Sequence, residues 1–219
     1  MRVLSWDVGI VNMAYCLLEI NENNVGKIIE WDTLNLIPKS KCCDCKKGAT
    51  YCVGNIYTCE THKVKGCKKI PTATQIDIVE LTLKLIEKLD SKKHLLECDI
   101  VLIENQPSLK NPKMKSVSSC LFNYFLIRGV VDNKTIKEVK YISATNKLKN
   151  AKVTIKKEEC KTKYIYNKKA GKEYCEQLIG GNVAYKELYS SHTKKDDLAD
   201  CLLQGLYYLD KNFKNFILE

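Results

Sequence analysis

Apolar residues open the chain in three runs, at residues 2–7, 13–20 and 27–36, each rich in aliphatic and aromatic side chains and short enough to be a strand. Gly9 permits a tight turn between the first two. The pattern then lapses over a cysteine-rich stretch, 37–70. It returns with a helical period over about 72–90, where Ile76, Val79, Leu83 and Ile86 recur at spacings of three and four and Thr72 or Thr74 can cap the start. Residues 99–104 form a continuous aliphatic run, the mark of a strand buried on both faces, and Pro107 stops further pairing. A helix is expected near 113–130 after Pro112, a strand at 137–143, a basic helix near 160–179 ended by Gly180-Gly181, and a last helix over about 195–212. In that last helix Leu198, Leu202, Leu206 and Leu209 make one stripe. This order predicts an α/β domain with a mixed five-stranded sheet flanked by helices, interrupted by 37–70.

Carboxylates stand where these elements end. Asp7 closes the first strand, Glu104 closes the strand at 99–104, and Lys194-Lys195-Asp196-Asp197-Leu198-Ala199-Asp200 opens the last helix. Acids at a helix start suit its positive end, and an acid after a strand can cap a turn. Neither account covers Asp200, a full turn into the helix, and an acid at the edge of a buried strand is costly unless compensated. Asp197 and Asp200 share a helix face, as would Asp196 and Asp200. A hard divalent cation provides the compensation: magnesium prefers carboxylate oxygens and takes further ligands from phosphate. Clustered acids of this kind fit a phosphodiester hydrolase in which two ions flank the reacting phosphate.

The segments Asp7-Val8-Gly9-Ile10-Val11-Asn12, Ile103-Glu104-Asn105-Gln106-Pro107 and Lys194 through Asp200, in this order, resemble the RuvC-like Holliday junction resolvases of the poxvirus and large-DNA-virus type. Asn111-Pro112-Lys113-Met114-Lys115-Ser116-Val117, followed by Tyr124-Phe125, is similar to the same branch. The likeness spans 1–36 and 98–219. It implies an RNase H-like fold and a catalytic quartet of Asp7, Glu104, Asp197 and Asp200 that binds two magnesium ions, with manganese as a substitute. In that scheme Asp7 bridges both ions. The resemblance also implies a homodimer that makes paired, symmetric nicks in a four-way DNA junction and leaves 5′-phosphate and 3′-hydroxyl ends. The dimer contact would lie on the helix at 113–130, with Cys120, Leu121, Tyr124 and Phe125 as candidates.

Charge adds a partner. The net charge is +10, yet residues 110–172 hold sixteen lysines and one arginine against four acids, which leaves the remainder acidic. Such asymmetry points to a polyanion, and phosphate contacts of this kind position nucleic acid without reading its bases. Lys113, Lys115, Lys147, Lys149 and Lys152 are the candidates for DNA-backbone contact, with Lys194 and Lys195 beside the acids. Tyr164, Tyr166 and Tyr174 are alternative stacking or core residues.

Six of the twelve cysteines fall between 42 and 67, with His62 among them. Cys42-x-x-Cys45 and Cys59-x-x-His62 have the spacing of a structural zinc ribbon, and the segment is too poor in apolar residues to fold by packing alone. The other six cysteines are dispersed and read as small core residues. No stretch reaches the ~18–20 apolar residues of a membrane span, and no secretory pattern opens the chain. An intracellular, cytoplasmic protein with reduced thiols is expected, at a viral replication site if the viral resemblance holds. Two alternatives stay open: an RNase H-like nuclease for other branched or hybrid nucleic acids, and a non-catalytic zinc-ribbon module that binds nucleic acid.

Overall fold

The computed structural model describes residues 1–37, 40–107 and 111–219. Strands β1 (Arg2–Asp7), β2 (Met13–Ile20) and β3 (Val25–Leu34) form an antiparallel meander. Three short strands follow, β4 (Tyr51–Val53), β5 (Ile56–Thr58) and β6 (Lys68–Lys69), which make a separate small sheet of order β5-β4-β6. Helix α1 (Ile78–Asp90) leads to β7 (Ile100–Glu104), α2 (Pro112–Phe125) and a π-helical turn at Leu126–Asp132. Then come β8 (Glu138–Ile142), α3 (Lys163–Leu178), α4 (Val183–Ser191), α5 (Lys195–Asn212) and β9 (Ile217–Leu218).

The main sheet has six strands in the order β8-β7-β1-β2-β3-β9, one more than the sequence pattern predicts. The extra strand, β9, is two residues long, below what alternation can reveal. β8, β7 and β1 run parallel, so their C-terminal ends lie at one edge of the sheet. Leu4 and Trp6 face a core shared with α1 and α2; Val3, Leu102 and Cys16 face a second core under α3, α4 and α5.

Several boundaries differ from expectation. α1 starts six residues later than the sequence pattern indicates, because Asp77 is the cap: its carboxylate accepts from the Val79 amide at 2.7 Å. Neither Thr72 nor Thr74 does this work. The buried stripe of α1 is Leu81, Leu85 and Leu89, while Val79 and Leu83 are 62% and 55% exposed. The helix at 113–130 divides into α2 and the π turn. Gly129 in that turn lets the Ile136 side chain approach to where a Cβ would stand 2.2 Å from it. Helix α4, absent from the sequence reading, is capped by Asn182 and packs Tyr189 on Trp31 with ring centroids 5.3 Å apart.

α5 occupies the span expected for it. Leu198, Leu202 and Leu209 are wholly buried, each such burial contributing roughly 1.5–3 kcal/mol. Gln204 donates to Ser5 Oγ and to the Trp6 carbonyl, both at 3.2 Å, and Trp31 Nε1 donates to the Leu198 carbonyl at 3.0 Å. At Gly205 a Cβ would meet Leu18 Cδ1 at 2.7 Å, so glycine here allows the helix to lie directly on β1 and β2. That close seating brings the start of α5 over the strand ends.

Candidate active site and metal centres

β1 and β7 pair in parallel from Val3↔Ile100 to Trp6↔Ile103. The same register sets Asp7 opposite Glu104, and aligned residues of adjacent strands point to the same face. That face is the one covered by α5, because Val3 and Leu102, an even number of residues earlier, pack in the core beneath it. Asp200 comes down from the second turn of α5. Gly9 shapes the turn after Asp7: a Cβ there would be 2.2 Å from the Asn12 carbonyl oxygen.

The centre of this cluster is held by an ammonium. Lys147 Nζ lies 3.2 Å from Asp7 Oδ1, 3.4 Å from Glu104 Oε2 and 3.0 Å from Asp200 Oδ2. Its side chain is 7% exposed. The expectation that Lys147 contacts DNA phosphate from the surface is therefore corrected. The loop after β8 folds back across the strand ends, and three carboxylates draw the ammonium inward. Burial acts to lower the Lys147 pKa, but Asp7, Asp200 and Glu104 outweigh it and the net shift is upward.

Burial dominates the carboxyls themselves. It drives Asp7 up to about 8 against the pull of Lys147, with Glu104 adding to the rise. Asp197 is pushed to about 7 by burial and then by the charges of Asp196 and Asp7, and Asp200 is also raised by burial despite Lys147. Asp196 behaves differently. Burial works to raise it, but an ion pair with Lys168 prevails and holds it below the ordinary carboxylate range. Asp196 is thus engaged on α3, while Asp197 feels the charge of Asp7.

These groups fit a hard cation. Acids from β1, β7 and α5 converge on a point already occupied by positive charge, and burial makes their ionised forms costly without it. Asp7, Glu104 and Asp200 could hold a divalent ion from three sides, with Asp197 near enough to feel the charge of Asp7. A cleft of about 400 Å³ opens beside them, lined by Glu104, Lys147, Lys163, Tyr164, Lys168 and Asp200. Lys163 and Lys168 escaped the sequence reading. The only signal was for Lys168, one helical turn after Tyr164 on the same face of α3, where Tyr164 is 66% exposed.

The other expected DNA contacts divide. Lys149 and Lys152 are exposed, as is Lys194. Lys195 lies over the Tyr189 ring at 5.4 Å and Lys115 over Tyr141 at 4.4 Å. Lys113 is committed to structure: its Nζ donates to the carbonyls of Thr74, at 2.6 Å, and Ile76, at 2.5 Å, tying α2 to the segment before α1. Lys110, counted in the basic block, and residues 38–39 of the cysteine-rich segment lie outside the described residues.

In the small-sheet segment, the ligand atoms of Cys42, Cys45, Cys59 and His62 all lie within 4.8 Å of one another. Cys45 Sγ is 3.8 Å from Cys59 Sγ, and His62 Nδ1 is 3.5 Å from both Cys42 Sγ and Cys59 Sγ. A zinc tetrahedron with ordinary bond lengths has sulfur–sulfur edges of about 3.8 Å and sulfur–nitrogen edges of about 3.5 Å. The cluster is compatible with zinc. Burial acts to raise the Cys42 thiol, but backbone amides of Cys59 and Asp44, with His62 and Cys45, bring it down to about 6, which favours a thiolate ligand. All twelve cysteines are free thiols, and those outside this segment are buried or half-buried as the sequence implies.

On the α2 face, Leu121 and Phe125 are wholly buried in the protomer core and cannot meet a partner, which corrects half of the expected dimer contact. Cys120 and Tyr124 instead line a groove of about 710 Å³ with Ile86 and Ile127. No helix among the described residues is long and apolar enough to cross a membrane.

The family described as mitochondrial resolvase Ydc2 / RNA splicing MRS1 matches residues 3–108. An uncharacterized protein of Acanthamoeba polyphaga mimivirus is 32% identical over a 326-residue alignment covering 99% of this chain and 77% of that protein. The yeast mitochondrial Holliday junction resolvase Ydc2 superposes with a TM-score of 0.57 at 20% identity, covering 98% of this chain and 84% of that one. The Fowlpox virus resolvase, solved with its substrate Holliday junction DNA, gives 0.56 at 19% identity, covering 98% of this chain and 100% of that one. Together with the 32%-identical mimivirus relative, the matching model means that the chain belongs to the family of mitochondrial resolvase Ydc2 / RNA splicing MRS1, and its fold is the one these resolvase structures share.

Proposed function

We propose that this chain is a magnesium-dependent endonuclease that resolves four-way DNA junctions by paired symmetric nicks, with Asp7, Glu104, Asp197 and Asp200 as its catalytic carboxylates. The observation that carries the reading is the convergence of Asp7, Glu104 and Asp200 on one cation position, 3.0–3.4 Å from the Lys147 ammonium. Bound magnesium would supply an activated water and stabilise the leaving 3′ oxygen, so that a 5′-phosphate and a 3′-hydroxyl result. Asp7 and Glu104 would hold the ions from adjacent strand ends, Asp200 would close the site from above, and Asp197 would hold the ion near the attacking water. Lys147 offsets the excess negative charge of the acids. Lys163 and Lys168, in the cleft, and Lys149, Lys152, Lys194 and Lys195, around it, carry the phosphate backbone to the site.

A homodimer built on the α1–α2 face would present two such sites to a two-fold junction. Exposed Leu83, Val79, Ile127 and Val131 on and beside this face support that assignment. Cys42, Cys45, Cys59 and His62 would hold a structural zinc ion, and manganese is expected to replace magnesium at the carboxylates. Twelve free thiols fit work in a reducing compartment, in the cytoplasm or at a viral replication site.

The test uses labelled four-way, three-way, flap, linear-duplex and RNA–DNA hybrid substrates, with and without magnesium. Paired nicks near the crossover of the four-way substrate are expected, and Asp7→Asn should reduce cleavage by at least about 10³-fold while junction binding persists. Wild-type cutting by that variant, or equal cutting of linear hybrids, would exclude this reading.

A further inference from the structure

We propose that the small zinc-ribbon sheet is a second DNA-binding element, which grips the phosphate backbone of a duplex arm beside the cleavage site. The inference rests on the reading of the chain as a DNA junction nuclease and adds a surface that this reading does not use.

The first observation is position. Across the main sheet, Glu104, Asp7, Ala14 and Thr33 stand in one row, through the β1–β7 register and the pairs Asp7↔Ala14 and Ala14↔Thr33. β3 ends at Leu34, one residue beyond that row, and the ribbon segment begins there. Its root therefore lies two strand spacings from Asp7, about 10 Å. A groove between the ribbon and the body, lined by Thr50, Lys69, Thr72 and Val11, reaches the turn that follows Asp7. The basic helix α3 flanks the carboxylates on the opposite face of the sheet, where Lys163 and Lys168 line the cleft. The two cationic elements thus border the same strand ends from two sides.

The second observation is charge. Against two acids, Asp44 and Glu60, residues 40–70 carry seven lysines, all exposed. Three thiolates and one zinc ion leave about one negative charge, so the ribbon keeps a net charge of about +4 with its metal bound. Among the described residues, none of the seven has an acidic partner within 4 Å. Four of them, Lys63, Lys65, Lys68 and Lys69, fall within seven positions around a turn at Gly66, whose φ of +84° suits glycine. Tyr51 orders this limb: the Lys63 ammonium rests 4.2 Å from its ring centroid, and Lys69 is its cross-strand partner. A solvated face does not need its lysines collected on a metal-stapled platform next to an active site; a grip on phosphate does.

The experiment measures binding by the full-length, zinc-loaded protein, without added magnesium, to four-way junctions with arms of about 25 and about 8 base pairs, over a range of salt. The variant replaces Lys63, Lys65, Lys68 and Lys69 by alanine, and zinc content is measured alongside as a folding control. If the ribbon holds an arm, affinity for the long-armed junction falls about tenfold or more, the slope of log K against log salt shrinks by about 3–4, and the short-armed junction is much less affected. An unchanged slope and affinity with zinc retained overturns the proposal. So does an equal loss on both junctions, which would put the lysines at the crossover. A second variant, Lys46→Ala with Lys47→Ala, on the Cys42–Cys45 knuckle, separates a defined contact face from bulk charge: the same loss per lysine there also counts against it. A protein that binds as expected but never cuts would defeat the nuclease reading and leave this assignment standing.

Discussion

Lys147 occupies the place where the acids would otherwise repel one another most strongly. Its partner Asp7 lies 140 residues away in sequence, and nothing local distinguishes this lysine from its fifteen neighbours in the basic block. That is why it reads as a surface residue in the sequence and is buried in the fold. The acids themselves were legible, because an uncompensated carboxylate at a buried strand end is unusual enough to demand a cause. Replacing Lys147 by methionine, similar in length but uncharged, leaves three carboxylates without their counter-charge. Without divalent ions the variant should lose about 3–5 kcal/mol of stability, and magnesium should restore a large part of it. Thermal unfolding with and without magnesium measures both effects; equal melting of variant and wild type under both conditions would remove Lys147 from the site's electrostatics.

Among elements, α1 shows why period alone underdetermines a face. Its residues offer two apolar stripes, Val79–Leu83–Ile86 and Leu81–Leu85–Leu89, both at helical spacing, and only tertiary packing chooses the second for the core. The first is left with Val79 and Leu83 in solvent. α5 has no such rival stripe, and its observed span, Lys195–Asn212, is the one its leucines predict. The ribbon was legible for a different reason: its cysteine and histidine spacing is set by metal geometry and needs no packing signal. Its hairpins are too short to be seen as strands and too poor in apolar contacts to persist alone. Removal of zinc with a chelator should therefore strip hydrogen-exchange protection from Tyr51–Val53 and Ile56–Thr58, while the amides of Val3–Trp6 and Val101–Ile103 stay protected. Mass spectrometry of exchange resolves the two regions, and undiminished protection in the ribbon after metal loss would make the metal dispensable there.

At the scale of the whole molecule, the order of strands and helices was readable because each long element carries its own period, and the family resemblance linked them. The face proposed to join two protomers was not, since Leu121 and Phe125 satisfy a dimer pattern and a core pattern equally well. With those two buried, the exposed apolar residues beside α2 lie on α1 and the π turn. Leu83→Asp with Ile127→Asp should convert a dimer to a monomer in sedimentation and replace paired nicks by single, uncoupled ones; a variant that remains dimeric would move the interface elsewhere. The row of acids also has a consequence for how the protein is made. Its members come from the seventh residue to the two-hundredth, and the last pair arrives only with the closing helix. A chain that lacks that helix lacks β9 and the leucines that cover the second core as well, so on the proposed reading the full set of ligands and the full sheet are completed together.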